Sequence, residues 1–447
     1  RRGAPGRGRG GVSMAPHRDD DPPESSGERA AGPARRGRAR LWARLTGPDG
    51  PVGQAHVTLS YYALLISTLF LLTFGLIMVF SVQSVTIAAG GGSAFTAFLR
   101  YLVIAGVGLA AMVATSRIDR VWLQRLAVPA LLLAAVLQSL VLVPSLATCA
   151  GGNCNWVRLP VVGQAQPSEF IKLALALYIG WVAARHKERL RGGWSVVLFV
   201  FAPAGAAIGL VMRGGDLGTV VILALLMAGA LWMGGLGKTW FVGLFAAGLV
   251  AFGGATMLSA NRRARIMAWL HPEAADPLDV GYQPLHGRYA LGTGGWAGVG
   301  PGSSRQKWGY LTQADSDYVF AVLGEEFGLV GTILVIGLFA VVGWCCLRIM
   351  RRSQDLYVGV VTGGIMCWII GQALVNIGVV VGILPVLGVP LPLISAGGSS
   401  LVFVLTAIGV LLSFARHEPG AERAFSTHGG AVRRTLAVIS TRRRNRA

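Results

Sequence analysis

Three carboxylates lead into a single apolar run. Asp317, Glu325 and Glu326 lie in GTGGWAGVGPGSSRQKWGYLTQADSDYVFAVLGEEFG, residues 292–328. On a helix rising about 1.5 Å per residue, Glu325 would sit roughly 12 Å beyond Asp317. A carboxylate inside a membrane costs about 2.5–3.5 kcal/mol on insertion scales, so three together need a reason. An acid at a loop-to-helix junction can come within about 3 Å of a substrate hydroxyl and take its proton, which makes Asp317 the candidate base. The segment before it carries Arg288, Arg305 and Lys307. Guanidinium and ammonium groups there suit an anionic headgroup such as a diphosphate. The glycine run 292–300 follows no parallel strand and lacks Gly-Lys-Ser/Thr, which excludes dinucleotide and P-loop readings. Its glycines suit close approach to a ligand or a helix.

Other polar groups recur at the same side of the apolar segments. Trp156 and Arg158 would supply an interfacial ring and an anion ligand, and Gln166 begins QPSEFIK. Within it Ser168 is placed as an N-cap, and Glu169 and Lys172, three apart, can pair on one face. Arg213 and Asp216 bracket a glycine turn, with Asp216 as a helix cap or a substrate ligand. Asn376 lies in a late apolar run, and Ser395 and Ser399 stand among small residues that also suit tight helix packing. The stretch 261–270, NRRARIMAWL, reads as an amphipathic interfacial helix, with Arg262, Arg263 and Arg265 as its anchor. Glu325 and Glu326 could alternatively relay protons.

The elements that must position these groups are transmembrane helices. The chain has 447 residues, 53% hydrophobic and 13% charged. Repeated apolar runs near 18 residues or more define an all-α polytopic membrane protein. Ten spans are expected at about 61–83, 97–115, 122–144, 169–185, 194–212, 217–234, 239–259, 318–347, 356–383 and 394–415. The large loop 260–317 separates the seventh and eighth. Residues 1–58 and 416–447 read as disordered basic tails flanking a membrane domain at 59–415. No cleavable signal peptide is expected ahead of the first run. Arg117, Arg120 and Arg125, then His186, Lys187, Arg189 and Arg191, then Arg348, Arg351 and Arg352 fall in alternate short loops. The positive-inside rule makes that side and both tails cytoplasmic, and the large loop extracytoplasmic. Much of the formal charge of +20 lies in the tails, where it speaks to topology and anionic lipid; no nucleic-acid-binding motif accompanies it. Cys149 and Cys154 could close a small disulfide on the outer side.

The ordered motifs resemble the SEDS family (shape, elongation, division, sporulation) of bacterial cell-wall proteins, and within it the division branch. They are Trp156-Val-Arg158, Gln166 to Lys172, Asp216-Leu-Gly-Thr219, Gly294 to Gly300, Ser304 to Tyr310, Ser316 to Glu326, Asn376-Ile-Gly378, Leu391 to Ser395 and Gly397 to Ser400. The resemblance covers about 60–415. It implies a peptidoglycan glycosyltransferase that polymerises lipid II at the outer membrane face, beside a class B penicillin-binding transpeptidase and other divisome proteins. Asp317 matches the family's essential aspartate, and Trp156, Lys172, Glu325 and Glu326 match other functional positions. Three positions depart from the family pattern: Gly214-Gly215 for Gln-Pro, Thr312 to Asp315 for Pro-Glu-Ala-His, and Leu387 for a lysine.

The expected chemistry has Asp317 deprotonate the 4-hydroxyl of acceptor lipid II. That oxygen would attack the anomeric carbon of the strand and release its polyprenyl diphosphate. The cationic loop, or a divalent cation such as Mg2+ or Mn2+ held by carboxylates, would steady the leaving diphosphate. Competing readings are a lipid II flippase, an elongation polymerase of the same family, and a non-catalytic division scaffold.

Overall fold

The computed structural model describes residues 58–419 apart from 90, 151–152, 160–162, 189–193 and 277. The two expected tails, with Arg433, Arg434 and Arg442 to Arg444, lie almost wholly outside the described residues, as do Arg189 and Arg191.

A helix occupies each of the ten apolar segments. They are α1 (Leu59–Ala89), α2 (Ala94–Thr115), α3 (Arg120–Ser139), α4 (Ser168–Arg185), α5 (Val197–Arg213), α6 (Leu217–Met233), α7 (Lys238–Met257), α10 (Val319–Arg352), α11 (Leu356–Val380) and α12 (Gly398–Arg416). Between α7 and α10 lie α8 (Ala260–Leu270) and α9 (Tyr282–Gly294). Among the described residues seven helices are long and apolar enough to cross a membrane: α1, α2, α3, α7, α10, α11 and α12. The chain is a multi-pass membrane protein. Helices α5 and α6 are apolar but shorter, and α4 carries Glu169, Lys172 and Arg185.

One expectation needs correction. The fold is not purely helical: β1 (Ala147–Ala150), β2 (Asn153–Leu159) and β3 (Gly163–Ala165) form an antiparallel sheet in that order. Outside lipid a connection can pair strand to strand, and the Cys149–Cys154 disulfide closes the β1–β2 hairpin. The sheet lies against the α5–α6 turn, where the Cys154 amide donates to the Gly214 carbonyl at 2.7 Å. Buried Asn155 receives the Gln138 amide at 2.6 Å and donates to the Val211 carbonyl at 3.1 Å.

The core is a bundle in which α11 packs on α6 and α4, α12 on α2, α10 on α1, and α3 on α4. Of the seven long apolar helices, α11 and α12 are the most enclosed, whereas α7 buries almost nothing. At one end the short loops are tied together. Arg120 bonds Asp355, Arg352 pairs with Glu418 at 3.2 Å, and the Arg348 guanidinium donates to Ser60 at 3.0 Å. The sheet, α8, α9 and the polar groups of the site occupy the opposite end.

Helix α10 is broken at Gly328, whose φ of 64° and ψ of −160° are non-helical. The break leaves carbonyls and amides without intrahelical partners. The glycine loop supplies them. Val299 and Gly300 donate to the Glu325 and Glu326 carbonyls at 2.9 and 3.1 Å. Leu329 and Val330 donate to the Gly295 and Trp296 carbonyls at 2.9 and 3.2 Å. A Cβ at Gly298, itself at φ +82°, would collide with the Glu326 carbonyl. The glycines of 294–300 therefore serve backbone-to-backbone contact with a helix.

Candidate functional site

The site is built on Asp315, Ser316 and Asp317, just ahead of the Tyr318 cap of α10. Their carbonyls are held in succession: Asp315 O accepts the Ala396 amide at 2.8 Å, Ser316 O the Ser395 hydroxyl at 2.6 Å, and Asp317 O the Asn376 side-chain amide at 2.7 Å. Asn376 also donates to the Val389 carbonyl at 2.7 Å, so α11, the loop after it and the Asp317 segment form one unit. Backbone strain frames the clamp, because Gln313 and Leu393 adopt φ of 59° and 66° although neither is glycine.

Asp317 faces a cavity of about 550 Å³. Also lining it are Trp156, Gln166, Glu169 and Lys172, Asp216 and Thr219, Arg262 and Arg265, Gln372, and the 385–390 loop. Gly388 is left-handed at φ +68°, and a side chain there would lie 3.5 Å from the Asp317 Oδ2.

Two polar pairs build the opposite wall. Lys172 Nζ bonds Glu169 Oε1 at 2.7 Å and Gln372 Oε1 at 3.1 Å, and stands 5.0 Å from the centre of the Trp368 ring. Both charged side chains are about 98% enclosed, and Gln372 in turn donates to the Pro390 carbonyl at 2.8 Å. The expected i,i+3 pair is present. Asp216 caps α6: its Oδ1 accepts the Thr219 amide at 2.8 Å, and its Oδ2 accepts the Thr219 hydroxyl at 2.8 Å and Gln166 Nε2 at 2.9 Å.

Burial pushes the Asp317 carboxyl up to about 7, and the nearby Asp216 and Asp315 charges push the same way against Arg265. Burial also raises Asp315. A carboxyl that titrates near neutrality can be ionised there and still be basic enough to take a proton, the property a general base needs.

Several expected site residues lie elsewhere. Lys307 is not free for an anion: its ammonium is buried against Glu326 at 2.9 Å, with Ser81 Oγ and the Gly302 carbonyl each at 2.7 Å. Glu325 accepts the Ser304 hydroxyl and the Arg305 and Gln306 amides, the latter two at 3.0 and 3.3 Å. These two acids hold the loop 302–307 to α10, and neither lines the cavity. Arg288, bonded to the Pro284 carbonyl at 3.3 Å, and Arg305 are exposed away from it. Arg158 and Arg213 are exposed outside it too. Ser168 is the first helical residue rather than the cap, which is Pro167, and its hydroxyl has no partner. Ser399 accepts the Gln166 amide at 3.2 Å and so acts at one remove.

Besides Lys172, the cations that reach the cavity are Arg262 and Arg265, two of the three arginines assigned to anchoring; Arg263 does not line it. Arg262 bridges the Gly215 and Ala255 carbonyls at 2.7 and 3.1 Å, fixing α8 over the α5–α6 turn, and Arg265 lies one turn on. An amphipathic pattern tells that a helix lies flat, but not what its charged face covers. Gln372 was missed; its signal is a polar residue one turn before Asn376 inside an apolar run. Among the described residues no three His, Cys, Asp or Glu side chains converge as a metal cluster. Three carboxylates line the cavity: Glu169, paired with Lys172 at 2.7 Å, Asp216, whose oxygens already accept three hydrogen bonds, and Asp317. Two of the three are committed to protein partners, so the described residues offer no preformed cluster for a divalent ion.

The fold and site define a class: a multi-pass helical membrane protein with carboxylates and cations gathered around a cavity at one end of its bundle. The family model FtsW/RodA/SpoVE, described as a cell cycle protein, matches residues 62–419, and the chain belongs to that family. It is 36% identical over 368 residues to the probable peptidoglycan glycosyltransferase FtsW of Mycobacterium tuberculosis, covering 82% of this chain and 69% of the relative. It is also 36% identical over 362 residues to stage V sporulation protein E of Bacillus subtilis, covering 79% and 96%. Among solved structures it is similar to a chain of a peptidoglycan synthase complex that coordinates polymerization and crosslinking (TM-score 0.64, 24% identity, 79% of this chain and 97% of that one). A second is the rod shape determining protein RodA of Thermus thermophilus (TM-score 0.58, 23% identity, 80% and 97%). At those identities the two structures speak to the fold.

Proposed function

We propose that this protein is a peptidoglycan glycosyltransferase that polymerises lipid II, working in septal wall synthesis. One observation carries the reading: a carboxylate held near neutrality by burial faces a cavity that also presents Arg262, Arg265 and Lys172. Asp317 takes the proton of the acceptor 4-hydroxyl as that oxygen bonds to the anomeric carbon of the donor strand. The anomeric carbon–oxygen bond breaks, and the electron pair leaves on the polyprenyl diphosphate. Guanidinium donors already positioned in the cavity wall stabilise that charge as it develops. This gives the diphosphate role to Arg262 and Arg265 in place of Arg288, Arg305 and Lys307.

The cavity rim is uneven in polarity, which supports an amphipathic substrate. Phe252 and Ile266 bound it toward the lipid-facing α7, and Gln283, Gln313 and Ser316 bound it toward the loop. The prenyl chain leaves on the first side and the sugars on the second. We place the cavity end outside and both termini in the cytoplasm, with α4, α5 and α6 completing ten spans. This sets the sugars beside a class B penicillin-binding transpeptidase, with which the protein works in the divisome. The test is purified protein in nanodiscs with fluorescent lipid II and no other glycosyltransferase. A ladder of lengthened glycan that disappears in Asp317→Asn is expected; precursor crossing the bilayer without lengthening would establish a flippase instead.

A further inference from the structure

The cavity is the size of a site for one small ligand. A glycan strand of many sugars must therefore lie outside it. The polar rim of the cavity meets α9 at Gln283, whose amide donates to the Thr312 hydroxyl at 2.7 Å. Beside Gln283, a row of rings begins. Tyr282, His286 and Tyr289 stand at i, i+4 and i+7 on α9, one face of the helix running about 10 Å along its axis. Their ring centres are 4.3 and 5.7 Å apart in sequence, and Tyr310 stacks on His286 at 6.0 Å with an interplanar angle of 19°. His286 is fixed in place by Gln306, whose Oε1 is 2.7 Å from Nδ1. None of the four rings belongs to the apolar core, and Tyr289 and Tyr310 are 51% and 55% exposed.

A preorganised row of rings, half-buried at Tyr282 and His286 and exposed at Tyr289 and Tyr310, has a chemical counterpart in a polysaccharide. A pyranose presents an apolar C–H face to a π face and hydroxyls at its edge to phenol and amide groups. Two sugar rings span roughly the length of this row. The prenyl portion of the substrate faces the other rim, so the row is continuous with the cavity on its sugar side. We propose that Tyr282, His286, Tyr289 and Tyr310 form a saccharide-binding shelf that holds the nascent glycan strand as it leaves the cavity. The proposal rests on the glycosyltransferase reading for its ligand. Its consequence is that the shelf sets how many sugars are added before a strand is released.

The experiment uses the full chain in nanodiscs with fluorescent lipid II, reading strand lengths on a gel. In parallel, a soluble lipid-free tetrasaccharide of the uncrosslinked glycan is titrated by saturation-transfer NMR. Tyr289→Ala combined with Tyr310→Ala should shorten the strands several-fold and weaken tetrasaccharide binding about tenfold, the usual effect of losing an aromatic anchor. Tyr289→Phe with Tyr310→Phe should restore both, because the ring face carries the contact. Leu278→Ala, 84% exposed in the same loop, should change neither. Wild-type strand lengths in the double alanine variant, or unaltered tetrasaccharide binding, would overturn the shelf. So would shortening matched by Leu278→Ala, or a change confined to poorer membrane insertion, which would make the rings interfacial anchors. If the wild type makes no strands, the polymerase reading falls, and the tetrasaccharide titration still decides the shelf.

Discussion

Asp216→Asn should make the enzyme more active in acid. Asp317 is raised to about 7 first by burial and then by the Asp216 charge, so neutralising Asp216 lowers it. A like charge acting across a polar cavity shifts a carboxyl by about one pH unit. The ionised fraction of Asp317 at pH 6 then rises from about one in eleven to about one half, roughly a fivefold gain in rate, less what a weaker base loses in proton transfer. At pH 9 both proteins are fully ionised and the gain vanishes. Asparagine keeps the cap, because its oxygen can accept the Thr219 amide and Gln166 can turn its own amide to match. The assay is the initial rate of fluorescent lipid II polymerisation from pH 5 to 9, fitted for the acid limb. A limb that stays near 7, or moves upward, would refute the assignment of Asp317 as the titrating base. Structural damage lowers rates at every pH and cannot imitate a gain confined to acid.

Three further outcomes are expected. Arg265→Gln should move the same limb upward, since Arg265 is the charge that lowers Asp317, and should also reduce the rate at high pH through the lost phosphate contact. Asp317→Asn should abolish polymerisation yet stabilise the fold in alkali. Folded Asp317 holds its proton more tightly than the unfolded chain, so the cost of ionising it, at most about 4 kcal/mol, grows between pH 4 and 7 and is full above 7. Thermal melts should show a higher Tm at pH 8 and none of that gain at pH 4. Lys307→Met should cost about 3–5 kcal/mol of stability by leaving Glu326 buried and unpaired. A variant that melts like wild type but binds lipid II poorly would return Lys307 to the substrate.

Helix positions were legible because hydrophobic runs are the strongest signal a membrane chain carries. Asp216, Glu169 and Lys172 were legible because capping and i,i+3 pairing are local. The cations were not. Lys307 and Arg265 are alike in sequence as single charges on an outer loop. Their fates differ through contacts at long range: Ser81 lies 226 residues from Lys307, and Arg262 reaches Gly215 across 47. The sheet was missed because its strands are three to seven residues long, too short for a clear alternation of polar and apolar residues.

The departures from the family pattern become physical when placed in the fold. A Cβ at Gly214 would overlap the buried Asn155 side chain, so glycine there is matched to asparagine in the neighbouring sheet. Gly215, left-handed at φ +87°, offers its carbonyl to Arg262. The turn that carries Asp216 is thus fixed from one side by the sheet and from the other by α8. Leu387 lies in the loop that covers Asp317, and its carbonyl packs against Gly218 at the start of α6. Where the family pattern has a lysine in that loop, the cavity of this chain is lined by Arg262 and Arg265 from α8. Asp216, Arg265 and the Asp317 loop are therefore one electrostatic unit, whose pH profile, rather than any single residue's loss, reports whether it works as proposed.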